Sequence, residues 1–135
     1  MKFFIDTANL DQIREAMDLG ILDGVTTNPS LMAKEGISGE KNIIAHYKKI
    51  CKIVDGDVSA EVIATDFKGM ISEGERLADL ADNIVVKIPM IKEGIKAISY
   101  FSEKGIKHQL YTGIFCGPSY TGSKGRSYVP FSFCG

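Results

Sequence analysis

Residues 84–89 read Ile-Val-Val-Lys-Ile-Pro. Apart from Lys87 the run is wholly apolar and rich in β-branched residues, the composition of a strand covered on both faces, and Pro89 closes it. A second such run lies upstream, Val58-Ser-Ala-Glu-Val-Ile-Ala64, interrupted only by Ser59 and Glu61. Between them Phe67, Met70, Ile71, Leu77 and Ala78 recur at helical spacing, predicting a helix beyond Thr65. Two buried strands joined by a helix form a βαβ unit, which requires a parallel sheet.

The same alternation extends in both directions. Phe3, Phe4, Ile5 and Asp6 form a short apolar run ending in a carboxylate. Asn9 follows as a helix cap, with Gln12 placed for a capping box. Leu10, Ile13, Ala16 and Met17 line one face of that helix, and Gly20 stops it. Gly24-Val-Thr26 reads as the second strand, followed by the turn-forming Asn28-Pro29 and a short turn over 30–34. Ile43, Tyr47, Ile50, Cys51 and Val54 then fall on one helical stripe. After that strand, Ile84 to Ile88, a last helix carries Ile95, Ile98 and Phe101 up to Gly105. Strand and helix therefore alternate four times with short connections, an α/β fold of right-handed βαβ units.

The 135 residues suit one domain with one core, at 44% hydrophobic and 24% charged. Sixteen basic against 17 acidic residues supply no electrostatic reason to expect nucleic acid or an anionic membrane as partner. No apolar run reaches the roughly 18 residues of a membrane span, and Asp6 breaks the N-terminal apolar stretch too early for a signal peptide. Three cysteines (Cys51, Cys116, Cys134) without metal-ligand spacing point to a reducing, cytoplasmic setting and no metal site.

Four polar residues stand out by position. A lysine within Ile-Val-Val-Lys-Ile-Pro must reach an exit, find a partner or give up its proton, because burial penalises the charged form. It is either a strand-end lysine snorkelling to solvent or an amine set up for Schiff-base chemistry. Glu61 is either a strand-end carboxylate, a member of a buried salt bridge with Lys87 as one choice of partner, or an acid/base group. Asp6 could cap the following helix, and Asn28 alone would be a turn residue. Yet Asp6, Asn28, Glu61 and Lys87 all fall at or near the C-terminal ends of successive parallel strands. In a (β/α) barrel those ends converge on the face that carries the active site. A lysine, two carboxylates and an amide meeting there match a nucleophile, proton carriers and a hydroxyl-holding group.

Other features read more simply. The glycines Gly113, Gly117, Gly122 and Gly125 lack the strand–loop–helix setting of a phosphate loop. Cys51 belongs to an apolar stripe and reads as core. His46 and the cluster Lys48, Lys49, Lys52 read as solvated helix face.

The segments Phe3–Thr7, Asp23-Gly-Val-Thr-Thr-Asn-Pro-Ser30, Ala60-Glu-Val-Ile-Ala-Thr65 and Ile84-Val-Val-Lys-Ile-Pro89 resemble, in order and spacing, the small bacterial transaldolases, a family that includes fructose-6-phosphate aldolases. The resemblance covers residues 1 to about 107. It implies a (β/α)8 TIM barrel and a class I mechanism with no metal or cofactor. Lys87 would form the Schiff base, Asp6 would assist proton transfer, and Asn28, with Thr26 beside it, would bind substrate. Glu61 would act through a water as acid/base. The family's aldolases carry glutamine where this chain has Glu61, which implies a transaldolase moving a dihydroxyacetone unit between sugar phosphates in the pentose phosphate pathway. The alternatives are a fructose-6-phosphate aldolase or an inactive truncated remnant. At Ile91 this chain departs from the threonine or serine frequent in the family. Members assemble into rings, so a homo-oligomer is expected of a full chain.

A barrel of this kind needs at least about 200 residues, so four to five β/α units make it incomplete. The sequence also changes character at Lys107/His108. Residues 108–135 hold no acidic residue, but five of 14 glycines and six of 12 aromatics. Back-translated from His108 and read from the second base of each codon, this stretch permits TNCTLVFSVGPAILAAKAGATYLSPFVG, which resembles the family's next segment. The expectation is therefore a family portion over residues 1–107 and a frameshifted, non-family segment over 108–135.

Overall fold

The computed structural model describes residues 2–111. Ten elements alternate along the chain: β1 (Phe4–Asp6), α1 (Leu10–Asp18), β2 (Gly24–Thr26), α2 (Pro29–Lys34), α3 (Glu40–Ile53), β3 (Asp57–Glu61), α4 (Phe67–Ala78), β4 (Ile84–Pro89), α5 (Lys92–Glu103) and β5 (His108–Tyr111). The five strands form one parallel sheet in the order β1-β2-β3-β4-β5. That order never reverses. With right-handed crossovers, a sheet that always steps the same way carries every helix on one face, which is the wall of a (β/α) barrel and not an open doubly wound sheet.

Side-chain alternation divides the two faces. Val25, Val58, Ala60, Ile84, Val86 and Ile88 point to the helices and are buried in one core with Ile13, Met32, Tyr47, Ile50, Met70 and Phe101. The opposite set, in register across the strands, is Asp6, Thr26, Ser59, Glu61, Lys87, Gln109 and Tyr111, with Val85 and Pro89. An apolar face thus seals against helices while a polar face lines what would be the barrel interior. Gly24 stands where any Cβ would strike the Phe4 ring and the Asp57 carbonyl, so the β1–β2–β3 approach requires glycine.

Local chemistry explains the boundaries. The Asn9 side chain caps α1 by accepting from the N–H groups of Asp11 and Gln12, each at 3.0 Å. The reciprocal half of the capping box is absent: Gln12 Oε1 accepts instead from the Thr7 hydroxyl at 2.6 Å. Gly20 follows α1 at φ +71°, the left-handed turn that ends helices.

Several expectations need correction. Residues 30–34 are helix, because Asn28 Oδ1 accepts from Leu31 N at 3.0 Å and Pro29 presets the first turn. The third strand stops at Glu61 and not Ala64, since the Ile63 and Ala64 N–H groups turn away to the Glu73 carboxylate, at 2.7 and 3.0 Å. His46 is buried, not solvated, with Nε2 2.7 Å from the Ala8 carbonyl oxygen. Ile95 is exposed, because α5 turns Gly94, Ala97 and Phe101 to the core. The sheet also continues four residues past Lys107, as β5, whose His108 packs near Phe101 with Nδ1 2.8 Å from the Ile106 carbonyl. Gly113, Cys116, Gly117, Gly122, Gly125 and Cys134 lie outside the described residues.

Candidate active site

The polar face is built in rows. Parallel register sets Glu61 beside Lys87 and Lys87 beside Gln109, while Asp6, Thr26, Ser59 and Val85 form the neighbouring row. Lys87 Nζ and Glu61 Oε2 are 3.3 Å apart, with side chains 10% and 19% exposed. The lysine is therefore neither free nor snorkelling: strand pairing itself delivers the carboxylate. On its other side the Tyr111 ring lies under the amine, 3.9 Å from Nζ to the ring centroid, within cation–π range. Gln109 Nε2 donates to Ser59 Oγ at 3.0 Å, tying β5 across to β3 next to the pair.

Asp6 and Thr26 form a second pair, the Thr26 hydroxyl donating to Asp6 Oδ1 at 2.8 Å. Asp6 is exposed, and its carboxylate does not cap α1, a task that Asn9 performs. Asn28 lies just beyond β2. With Oδ1 committed to the α2 cap, its amide nitrogen is the end available for a ligand. Asn28, Ser30, Glu61, Thr65, Pro89 and Tyr111 share the wall of a depression of about 380 Å³ at the carboxyl ends of the strands.

Behind Glu61, on the helix side, Tyr47 is buried, and burial above all raises its phenol to about 12. A hydrogen bond with the Glu61 backbone opposes that shift, and the Glu61 and Cys51 charges add to it. Cys51 is also pushed up, to about 11, chiefly by burial. An inert thiol packed against the core fits its place on the apolar stripe. Among the described residues no group of three or more His, Cys, Asp or Glu is placed to hold a metal ion.

The structure thus unites Lys87 with Glu61, and Asp6 with Thr26, and puts Asn28 with Glu61 on the wall of a depression that Lys87, Asp6 and Thr26 do not line. Ser59, Gln109 and Tyr111 were not singled out from the sequence. Ser59 stands two residues before Glu61 and so shares its face, a signal available from strand periodicity. Gln109 and Tyr111 lie in a four-residue strand within a compositionally foreign stretch, too short to show a period.

A one-way parallel sheet with a lysine–carboxylate pair on its polar face, at the strands' carboxyl ends, defines part of a barrel of the class that houses active sites there. Residues 3–121 match the family described as transaldolase/fructose-6-phosphate aldolase. The chain is 66% identical over 133 residues to a protein of Cytophaga hutchinsonii named "probable transaldolase", covering 97% of this chain and 61% of that one. Similar proteins under the same name are 67% identical over 133 residues in Porphyromonas gingivalis and 71% identical over 107 residues in Flavobacterium psychrophilum. The chain belongs to the transaldolase/fructose-6-phosphate aldolase family. It spans about three fifths of the length of the curated relatives matched over 133 residues.

Proposed function

We propose that the chain carries the Schiff-base half of a transaldolase site, with Lys87 as nucleophile. The observation that supports this most is the 3.3 Å contact of Lys87 Nζ with Glu61, on a polar sheet face and in a chain of this family. In the proposed reaction the neutral Lys87 amine adds to the carbonyl carbon of a ketose phosphate, and the carbonyl oxygen leaves as water, giving an iminium. Glu61, directly or through a water, moves the protons of these two steps. The bond between the α and β carbons then breaks. Its electron pair flows to the iminium nitrogen, forming an enamine, while the β-hydroxyl gives its proton to a carboxylate, a role for Asp6. An aldose phosphate departs, a second adds to the enamine carbon, and water releases the new ketose. The Asn28 amide and the Thr26 hydroxyl would hold substrate hydroxyls.

This places the activity among transferases of the pentose phosphate pathway, in the cytoplasm, with sugar phosphates as partners and a ring-like homo-oligomer as the assembled form. No described helix is long and apolar enough to cross a membrane. Glu61 in place of glutamine favours transfer over the fructose-6-phosphate aldolase alternative. Fructose 6-phosphate offered with and without erythrose 4-phosphate separates them. Transfer requires the acceptor and releases no dihydroxyacetone, whereas an aldolase releases it without acceptor. A chain that does neither is the inactive remnant.

We further propose that residues 108–135 arise from a shifted reading frame after Lys107. Sequencing the coding DNA tests this. One inserted or two missing nucleotides near the Lys107 codon are expected, and codons that do not permit the family-like string would end the proposal.

A further inference from the structure

We propose that Glu73 is a positioning residue for Glu61: by accepting from two backbone N–H groups just past the end of β3, it keeps the Glu61 carboxylate set against the Lys87 amine. The inference rests on the Schiff-base reading above only for its catalytic consequence, since the contacts themselves are independent of the reaction. Among the described residues, Lys87 at 3.3 Å is the one ion-pair or hydrogen-bond partner of the Glu61 carboxylate. Its aim therefore depends on the backbone that carries it. Glu61 is the last residue of β3, and local opening costs least where backbone pairing runs out. Val62 N still donates to the Lys87 carbonyl at 3.1 Å. The next rung of that parallel ladder would take Ala64 N to the Pro89 carbonyl, which instead accepts from Ile91 N at 2.8 Å. Residues 63 and 64 are tied to α4 in its place: Glu73 Oε2 accepts from the N–H groups of Ile63 and Ala64, at 2.7 and 3.0 Å.

From α3 the buried Tyr47 bonds the Glu61 backbone itself, and Glu73 supplies the hold on the far side of the carboxylate. A carboxylate accepting from two N–H groups forms charge-assisted bonds, stronger than a neutral acceptor would. Its own element is fixed, since the neighbouring Gly74 is buried against the Phe101 ring and Met70 one turn back is in the core. The Ile63 side chain is 66% exposed, so its packing could not hold that residue in place of Glu73.

The test is acetylation of the free protein by N-hydroxysuccinimidyl acetate, with the rate at Lys87 read by peptide mass spectrometry. An amine tied to a carboxylate offers its lone pair less readily than a free one, so loosening the pair speeds labelling. Glu73→Leu is expected to speed Lys87 by about twofold to fivefold, the range that loosening an ion pair supports, while exposed lysines such as Lys48 label unchanged. Glu73→Gln keeps an acceptor oxygen at the same reach and is expected to stay near wild type. In a Glu61→Gln background, Glu73→Leu is expected to add nothing at Lys87, because Glu73 acts through the Glu61 carboxylate. Equal Lys87 rates in wild type and folded Glu73→Leu would overturn the proposal, as would the same speeding in the Glu61→Gln background or Glu73→Gln behaving like Glu73→Leu. Should the leucine variant not melt cooperatively, amide hydrogen exchange of the wild type decides: Ile63 and Ala64 exchanging as fast as in an unstructured peptide would overturn it, and slowed exchange at both is expected. Borohydride trapping with fructose 6-phosphate is read alongside. A Glu73 effect on labelling with no trapped adduct in wild type would sink the Schiff-base reading while the positioning role stands.

Discussion

Removing both partners of the Lys87–Glu61 pair should cost little more than removing either one alone. At 3.3 Å two unit charges attract by about 5 kcal/mol in a medium of effective dielectric constant near 20. Desolvation of both groups cancels much of that, and the residual exposure of both side chains screens more. A coupling of about 1–3 kcal/mol is the expected remainder. Glu61→Gln leaves an ammonium beside a neutral amide, and Lys87→Met leaves a carboxylate facing an alkyl chain. Each single change should destabilise by about 1–3 kcal/mol, and the double variant by little more than either. The assay is urea unfolding of wild type, both single variants and the double variant, followed by circular dichroism, with the coupling taken from the four midpoints at a common slope. Additive effects, with coupling within about 0.5 kcal/mol of zero, would mean that the pair contributes nothing and that the buried polar row needs another explanation.

Other substitutions probe the surroundings of the site. Among the described residues the Thr27 hydroxyl is the one buried side-chain polar atom without a partner, so Thr27→Val should stabilise by about 1 kcal/mol; a lower melting temperature would show the hydroxyl to be satisfied. His46→Leu should destabilise by about 1–3 kcal/mol by stranding the Ala8 carbonyl, and an unchanged unfolding midpoint would deny that tether. Alkali should act through Tyr47, whose phenol burial pushes up to about 12 in the folded chain, from about 10 when exposed. A folded value above the unfolded one gives stability that is complete below pH 10 and lost as the pH rises through 12, about 3 kcal/mol in all. Between pH 10 and 12 a Tyr47→Phe protein should therefore lose less stability than wild type; parallel losses would place the alkaline transition elsewhere.

The fold was legible because parallel strands covered on both faces announce themselves as apolar runs, and helices with strong caps interrupt them. Lys87 and Glu61 stood out for the same reason, as charges inside such runs. Their pairing depends on register, Glu61 opposite Lys87, which no single strand encodes. Boundaries were less legible where a side chain from elsewhere takes over backbone groups. Glu73 ends β3 by capturing two N–H groups, and Asn28 converts a turn into α2 by capping it. His46 shows the converse: a polar residue at an exposed-looking helix position is buried because a carbonyl 38 residues away meets it. β5 is not legible because only four residues carry it, within a stretch of altered composition.

The central claim is that Lys87 forms a Schiff base. Intact-mass spectrometry of the protein after fructose 6-phosphate and borohydride, followed by peptide mapping, tests it most directly. The account predicts one reduced sugar-derived adduct on Lys87, absent from Lys87→Met. A wild-type protein of unchanged mass, or an adduct mapping to a surface lysine such as Lys48 or Lys49, would contradict it.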